Sequence, residues 1–415
     1  MITYNTFELD NGLRVVVHED PYTPMAVVNV LYDVGARDEQ EHHTGLAHLF
    51  EHLMFEGSKN IPNYDEVLHR AGGECNAFTS SDMTNYYDAI PANNIETALW
   101  LESDRMLSLS FDEEALETQK NVVCEEFKET HINQPYGDIS HALQELTYTT
   151  HPYKWPVIGK DLSHIRQTKL QDIKDFFFKH YRPNRAILAI AGGVKTDEVK
   201  TLVEKWFGDI PAGPKYERNL PEEPKQQAAK KLLLTADVPL NAIFLAFHTC
   251  KRSDAEFHAT DLISDILANG ASSRLYQKLI KEQAIFNTID AYSYDSLDNG
   301  LFVIEGKLNN DITFEEAENA IWQELELLKQ GEMTAYEFRK IKNRVESSIA
   351  FSEISLKTKA FSLAYYLLLG DISEVNREIQ RYEEVTAAEF QEVANTLFQT
   401  KNCSTIYYKA KEQEA

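Results

Sequence analysis

The pentapeptide His48-Leu49-Phe50-Glu51-His52 places three titratable side chains on one turn of an otherwise apolar stretch, TGLAHLFEHLMFEG. Helical residues four apart lie about 40° from one another around the axis, so His48 and His52 share a face. Two imidazole nitrogens on one face can reach a single divalent ion, which suits zinc. Glu51 neighbours both histidines and need not be a ligand itself. A carboxylate there can take the proton of a metal-bound water. The plainer use of the same residues is a pair of packed core histidines.

A catalytic zinc takes three protein ligands and keeps one position open, so two histidines require a third donor. The segment FDEEALETQKNVVCEEFKET is helical in pattern and dense in carboxylates. Gln119, Val122, Val123 and Glu126 fall on one face by three-and-four spacing, which makes Glu126 a candidate. Spacing alone leaves Glu125 and Glu129 as competitors. His42 and His43 ahead of the motif, and His131, His141 and His151 after it, read as surface or satisfied polar residues.

The elements that position this chemistry follow from turn and periodicity signals. YNTFELDNGLRVVVHED sets two alternating runs around Asp10-Asn11-Gly12, a hairpin. MAVVNVLYDVG reads as a further strand. The histidine segment is a helix with Thr44 as expected N-cap and Gly57 as stop. TKLQDIKDFFFKHYRPNRAILAIAGG gives a helix, a turn and a buried strand, and TDEVKTLVEKWFG a second helix. The proline-rich IPAGPKYERNLPEEPKQQAA reads as a linker.

The second half repeats the first. An offset of 217 pairs Val28 and Val30 with Leu245 and Phe247. It pairs Leu46, Leu49 and Phe50 with Ile263, Ile266 and Leu267, and Ile173, Phe176 and Tyr181 with Phe390, Val393 and Phe398. Distant segments agreeing on one register point to a duplicated scaffold. The polar triplet occurs once: His48 maps to Asp265, Glu51 to Ala268 and His52 to Asn269. A packing role would recur in both copies, so the triplet looks added to the fold. The expected organisation is α+β, with two duplicated α/β domains. Residues 1–212 form a metal-bearing domain, 213–229 a linker, and 230–415 a related domain without ligands.

Length and composition narrow the function classes. The 415 residues exceed a single core, and 43% hydrophobic with 11% aromatic content supports two. A net charge of -25 repels phosphate backbones and argues against nucleic acid. Cys75, Cys124, Cys250 and Cys403 are scattered, with no disulfide framework or zinc ribbon. No apolar run is long enough for a membrane span. The N-terminus lacks the features of a signal peptide. The expected location is cytoplasmic, or periplasmic if a leader has been removed.

TGLAHLFEHLMFEG, GGECNAFTSSDMTNYY, TQKNVVCEEFKETHINQPYG and HPYKWPVIG together resemble the pitrilysin/insulinase-type inverted zincins. The likeness is to small bacterial members akin to mitochondrial processing peptidase subunits. It spans nearly the whole chain, by motif in the first half and by pattern in the second. It implies two related α/β domains, mixed sheets packed with helices, forming half of a clamshell that closes on a peptide. It implies Zn2+ held by His48, His52 and Glu126, with Glu51 as general base. It matches Asn76, Ala77 and Phe78 to the edge strand beside the metal, where a peptide pairs as an added strand.

Two departures accompany the resemblance. The family often has a glutamate where Gln119 stands. Many active members carry an arginine and, seven residues on, a tyrosine after the SRLYQ helix; here those places hold Ile280 and Asn287. The expected function is a zinc endopeptidase acting on short or unfolded peptides. The expected partner is a related subunit that supplies the arginine and tyrosine, or a second copy of this chain. The rival reading is a non-catalytic assembly subunit of the same fold.

Overall fold

The computed structural model describes residues 1–411. The first half opens with strands β1 (Asn5–Glu8), β2 (Arg14–Glu19) and β3 (Met25–Tyr32), followed by helices α1 (Leu46–Leu53) and α2 (Tyr64–Arg70). Then come β4 (Glu74–Thr79), β5 (Thr84–Pro91), α3 (Ile95–Leu107), α4 (Glu113–Phe127) and, later, β6 (Ala186–Gly192). These strands form a six-stranded sheet in the order β1-β2-β6-β3-β5-β4. Only the β2–β6 pair is parallel. The hairpin forms as its turn residues require: Gly12 takes φ +84°, and the Asn11 amide donates to the carbonyls of Phe207 and Ile210 at 2.8 and 2.9 Å.

A second sheet holds β7 (Lys230–Ala236), β8 (Ala242–His248), β9 (Phe286–Ser293), β10 (Leu301–Leu308) and β11 (Cys403–Ala410), ordered β7-β11-β8-β10-β9. It repeats the order β2-β6-β3-β5-β4, with its one parallel pair, β7–β11, in the matching place. The 217-residue displacement survives at atomic level. It carries Thr84–Pro91 onto Leu301–Leu308, and the helix Leu170–His180 onto Ala387–Leu397. The duplication expected from two apolar registers is therefore a property of the folded chain.

The chain divides into two compact units, and neither is one continuous stretch. The first comprises Met1–Glu129, Trp155–Leu220 and Ala350–Arg377; the second comprises Thr130–Lys154, Pro221–Ile349 and the chain from Glu378. One change of unit falls at Leu220/Pro221, inside the proline-rich stretch read as a linker. The other four come from two exchanged segments that a contiguous division at 213–229 does not contain. The cause is the uncovered side of each sheet. β3 and β6 are buried along nearly their whole length, so both faces of the first sheet need cover. The apolar cluster of Val28, Val30, Tyr32, Leu49, Phe50, Tyr86, Leu99 and Tyr181 fills one face. The helix Leu356–Leu369 packs across β3 and β6. In the second unit the helix Ile139–Thr147 does the equivalent work, with Leu143, Tyr148 and Tyr153 joining Val238, Phe244 and Tyr408. Those two helices begin 217 residues apart as well. A fully buried apolar side chain such as Phe50 contributes about 1.5–3 kcal/mol of transfer free energy to these cores.

Candidate metal centre and peptide edge

The apolar positions of α1 (Leu46, Ala47, Leu49, Phe50 and Leu53) are buried, which turns His48, Glu51 and His52 toward one partly open side. The helix start is held by Glu39: its carboxylate accepts from the Gly45 N–H at 2.9 Å and the Ala47 N–H at 2.7 Å. This satisfies donors that a helix N-terminus leaves orphaned. Gly45 itself sits at φ +84°, and a Cβ there would lie 2.7 Å from the Ile158 carbonyl. Thr44, the expected N-cap, serves elsewhere. Its hydroxyl meets His164 Nδ1 at 2.9 Å and accepts from the Lys160 N–H at 2.7 Å. The helix ends before Gly57, which takes φ +100°.

α4 is capped by Asp112, whose carboxylate accepts from the Glu114 N–H at 2.6 Å. It buries Leu116, Val123, Cys124 and Phe127, and Glu126 consequently faces α1. Glu126 Oε1 lies 3.8 Å from His48 Nε2, and Oε2 lies 3.5 Å from His52 Nε2. One donor atom from each of the three residues falls within 4.8 Å of the others, and this is the metal-capable cluster found among the described residues. The two imidazoles meet edge to face at 4.9 Å. Two nitrogens and one carboxylate converging in this way fit a zinc ion with an open coordination position. The competing carboxylates lie outside the cluster. Glu125 is exposed and bonds Lys128 Nζ at 2.6 Å; Glu129 is exposed on the π-turn Lys128–Ile132. His43 pairs with Thr168 at 3.0 Å, His131 meets His141 edge to face, and His151 lies 3.4 Å from Asp298.

Glu51 stands beside this cluster without being one of its three donors. Burial pushes its carboxyl above the usual carboxylate range, opposed by the Thr79 hydroxyl and by His52, with Glu126 adding to the rise. The Thr79 hydroxyl donates to Glu51 Oε2 at 2.5 Å. The hydrogen bond to Glu126 is the main cause of the raised His52 value.

Thr79 is the last residue of β4, and β4 is the end strand of its sheet, bonded only to β5. Its residues alternate. Cys75, Ala77 and Thr79 are half-buried on the side of Glu51, while Glu74, Asn76 and Phe78 are exposed on the other. Phe78 packs edge to face on Phe361 at 5.4 Å, and Glu74 bonds Lys357 Nζ at 2.6 Å. The Asn76 side chain accepts from the Ala77 N–H at 2.8 Å. Gln119 is adjacent to the histidines: its Oε1 lies 3.2 Å from His52 Nδ1, and its amide donates to Glu56.

Sequence reasoning brought His48, His52, Glu126, Gln119 and the Asn76–Phe78 edge to this place. It missed Glu39, Thr79 and Glu56. Thr79 lay within the quoted AFTSS motif, and its position two residues after Ala77 on a strand would have put it on the same face. Glu39 carried no periodic signal. Ile280 lies on the π-turn Tyr276–Glu282 of the second unit, half-buried against that unit's core, and Asn287 is exposed on β9.

Comparison with known proteins shows the family and the fold. Residues 14–161 match the model of the insulinase family, peptidase family M16, and residues 168–345 match the M16 peptidase inactive domain. A zinc protease of Helicobacter pylori is 29% identical, over 98% of this chain and 93% of its own length. An uncharacterised zinc protease of Mycobacterium leprae is 30% identical, over 72% of this chain and 67% of its length. The crystal structure of a protease from Helicobacter pylori superposes with TM-score 0.93 at 29% identity, covering 99% of this chain and all of that one. Pitrilysin superposes with TM-score 0.77 at 20% identity; this chain is covered in full and spans 45% of pitrilysin. The chain belongs to the insulinase-type M16 peptidase family. No helix among the described residues is long and apolar enough to cross a membrane.

Proposed function

We propose that this chain is a zinc-dependent endopeptidase that cleaves short or unfolded peptides. The observation that carries the proposal is the convergence of His48, His52 and Glu126 donors within 4.8 Å, with the Glu51 carboxylate beside them. The three donors would hold Zn2+, which when bound supplies Lewis acidity toward a peptide carbonyl and toward water. Glu51 accepts a proton from the attacking water and delivers it to the leaving amine. Thr79 fixes one Glu51 oxygen, leaving Oε1 to face the water, and burial strengthens Glu51 as a proton acceptor. An extended peptide pairs with the open side of β4 through backbone hydrogen bonds, displacing the Asn76 side chain from the Ala77 N–H. Pairing through the backbone accepts many sequences.

The chain spans under half of pitrilysin, so a second related unit completes the working enzyme in this reading. That unit would supply the arginine and tyrosine absent at Ile280 and Asn287. A non-catalytic assembly role is the second reading. It is favoured by the inactive-domain match over residues 168–345 and by Ile280 and Asn287. Glu51→Gln separates the two readings. The peptidase reading expects zinc content to be retained and cleavage of fluorogenic peptides to fall by about 10²–10⁴-fold. Unchanged turnover in the zinc-replete variant would overturn the Glu51 role. Absence of cleavage by the wild type, alone and with a related partner chain, would favour the assembly role.

A further inference from the structure

We infer that Glu56 is a positioning residue for the metal centre, acting through Gln119 on His52; the inference rests on the zinc reading above. The Gln119 amide lies between two groups. Its Nε2 donates to a Glu56 carboxylate oxygen, and its Oε1 lies 3.2 Å from His52 Nδ1. The direction of this chain is forced. A carboxylate can only accept, so the nitrogen end of the amide must face Glu56 and the carbonyl end must face His52. A carbonyl can only accept as well, so His52 Nδ1 carries the hydrogen. The lone pair of the neutral ring is then on Nε2, the atom that lies 3.5 Å from Glu126 and points into the cluster.

Metal-binding histidines gain basicity and a fixed ring orientation when the other nitrogen donates to a carboxylate or carbonyl. Here the carbonyl is Gln119 and the carboxylate stands one residue further out. Without Glu56, nothing else in this chain of bonds fixes which end of the Gln119 amide faces the imidazole. A flipped amide would present N–H to Nδ1, favour the opposite tautomer and remove the Nε2 lone pair from the cluster. Glu56 sits in the turn just after α1, with its N–H bonded to the Leu53 carbonyl at 3.2 Å. The backbone that ends the histidine helix therefore also places the group that orients its second histidine. A glutamate at position 119 would bond His52 directly but would face Glu56 with like charge.

The test is zinc affinity by chelator competition for the wild type, Glu56→Leu, Gln119→Glu and the exchange Gln119→Glu/Glu56→Gln. His52 tautomer is read by 15N NMR on the metal-free protein at a pH above the raised His52 transition, where the ring is neutral. Glu56→Leu should weaken zinc by about 10-fold or more and reduce the Nδ1–H population. Gln119→Glu alone should gain less affinity than the exchange does. The exchange should bind within about threefold of the wild type or more tightly. A simple packing role for Glu56 would lower thermal stability in Glu56→Leu while leaving the tautomer unmoved. Wild-type zinc binding together with an unchanged affinity and tautomer in Glu56→Leu would overturn the relay. Failure of the wild type to bind zinc at all would instead overturn the metal reading on which it rests.

Discussion

The two units solve one structural problem in two ways. Each must hold a short helix beside a long one along the same kind of sheet. In the first unit the contact between α1 and α4 is made by His48, His52 and Glu126, three donors aimed at a common point. In the second, the corresponding positions are Asp265, Asn269 and Asn343. There Arg344, on the helix Ala335–Ser352, donates to both the backbone and side-chain oxygens of Asn269, and Asn269 donates to Asp265. A guanidinium on the chain thus grips Asn269, the residue that corresponds to His52 of the first unit's cluster. Under the zinc reading proposed above, a cation stands at the corresponding place in both units, a guanidinium in the second and an exchangeable ion in the first.

The largest expected effect is on the stability of the two apices. Zinc at about a thousand times its Kd would stabilise the first unit by ~4 kcal/mol. Chelation should therefore increase amide exchange in α1 and α4. It should leave the helices Phe257–Ala268 and Ala335–Ser352 unchanged. Exchange mass spectrometry showing equal loss in both units would break the comparison. The converse is Arg344→Ala. Arg344 is exposed, so the loss is about 1 kcal/mol, confined to the second unit and insensitive to chelator. Urea titrations with and without chelator read both properties.

A further effect depends on pH. Glu223 accepts from the backbone N–H groups of Thr149, Thr150 and His151 at 2.8, 2.8 and 2.9 Å, and from the Thr149 hydroxyl at 2.7 Å. Burial pulls its carboxyl upward, but these hydrogen bonds outweigh burial and hold it at about 2, below the usual 4.5. A depressed carboxyl contributes stability above its unfolded value and loses it as pH falls through the folded one. Glu223→Gln should cost about 1 kcal/mol at neutral pH, since the group is partly exposed. The difference from wild type should shrink between pH 4.5 and 2. A difference independent of pH would contradict the assignment. The smallest effect is Glu125→Gln, which removes an exposed pair with Lys128 and should change stability by less than ~0.5 kcal/mol.

Much of this was legible in the sequence because it is local. Asp10-Asn11-Gly12 announces its hairpin, and HLFEH announces one helix face. The 217-residue register survives because buried positions on matching elements keep their spacing. The helices Ile139–Thr147 and Leu356–Leu369 were not assigned correctly to units. Periodicity says that a helix has an apolar face and is silent on which sheet that face meets. Thr44 had the chemistry of a cap, but Glu39 reaches the helix start from the preceding turn, a contact set by tertiary placement. The link from His52 through Gln119 to Glu56 joins residues 63 apart in the chain, and no spacing rule connects them.

The account stands most directly on the identity of the third ligand. Zinc per chain, measured by plasma emission on protein purified without chelators, should be about one for the wild type, Glu125→Gln and Glu129→Gln, and should fall strongly in Glu126→Gln. An absence of zinc in the wild type, or equal loss in Glu125→Gln, would contradict it.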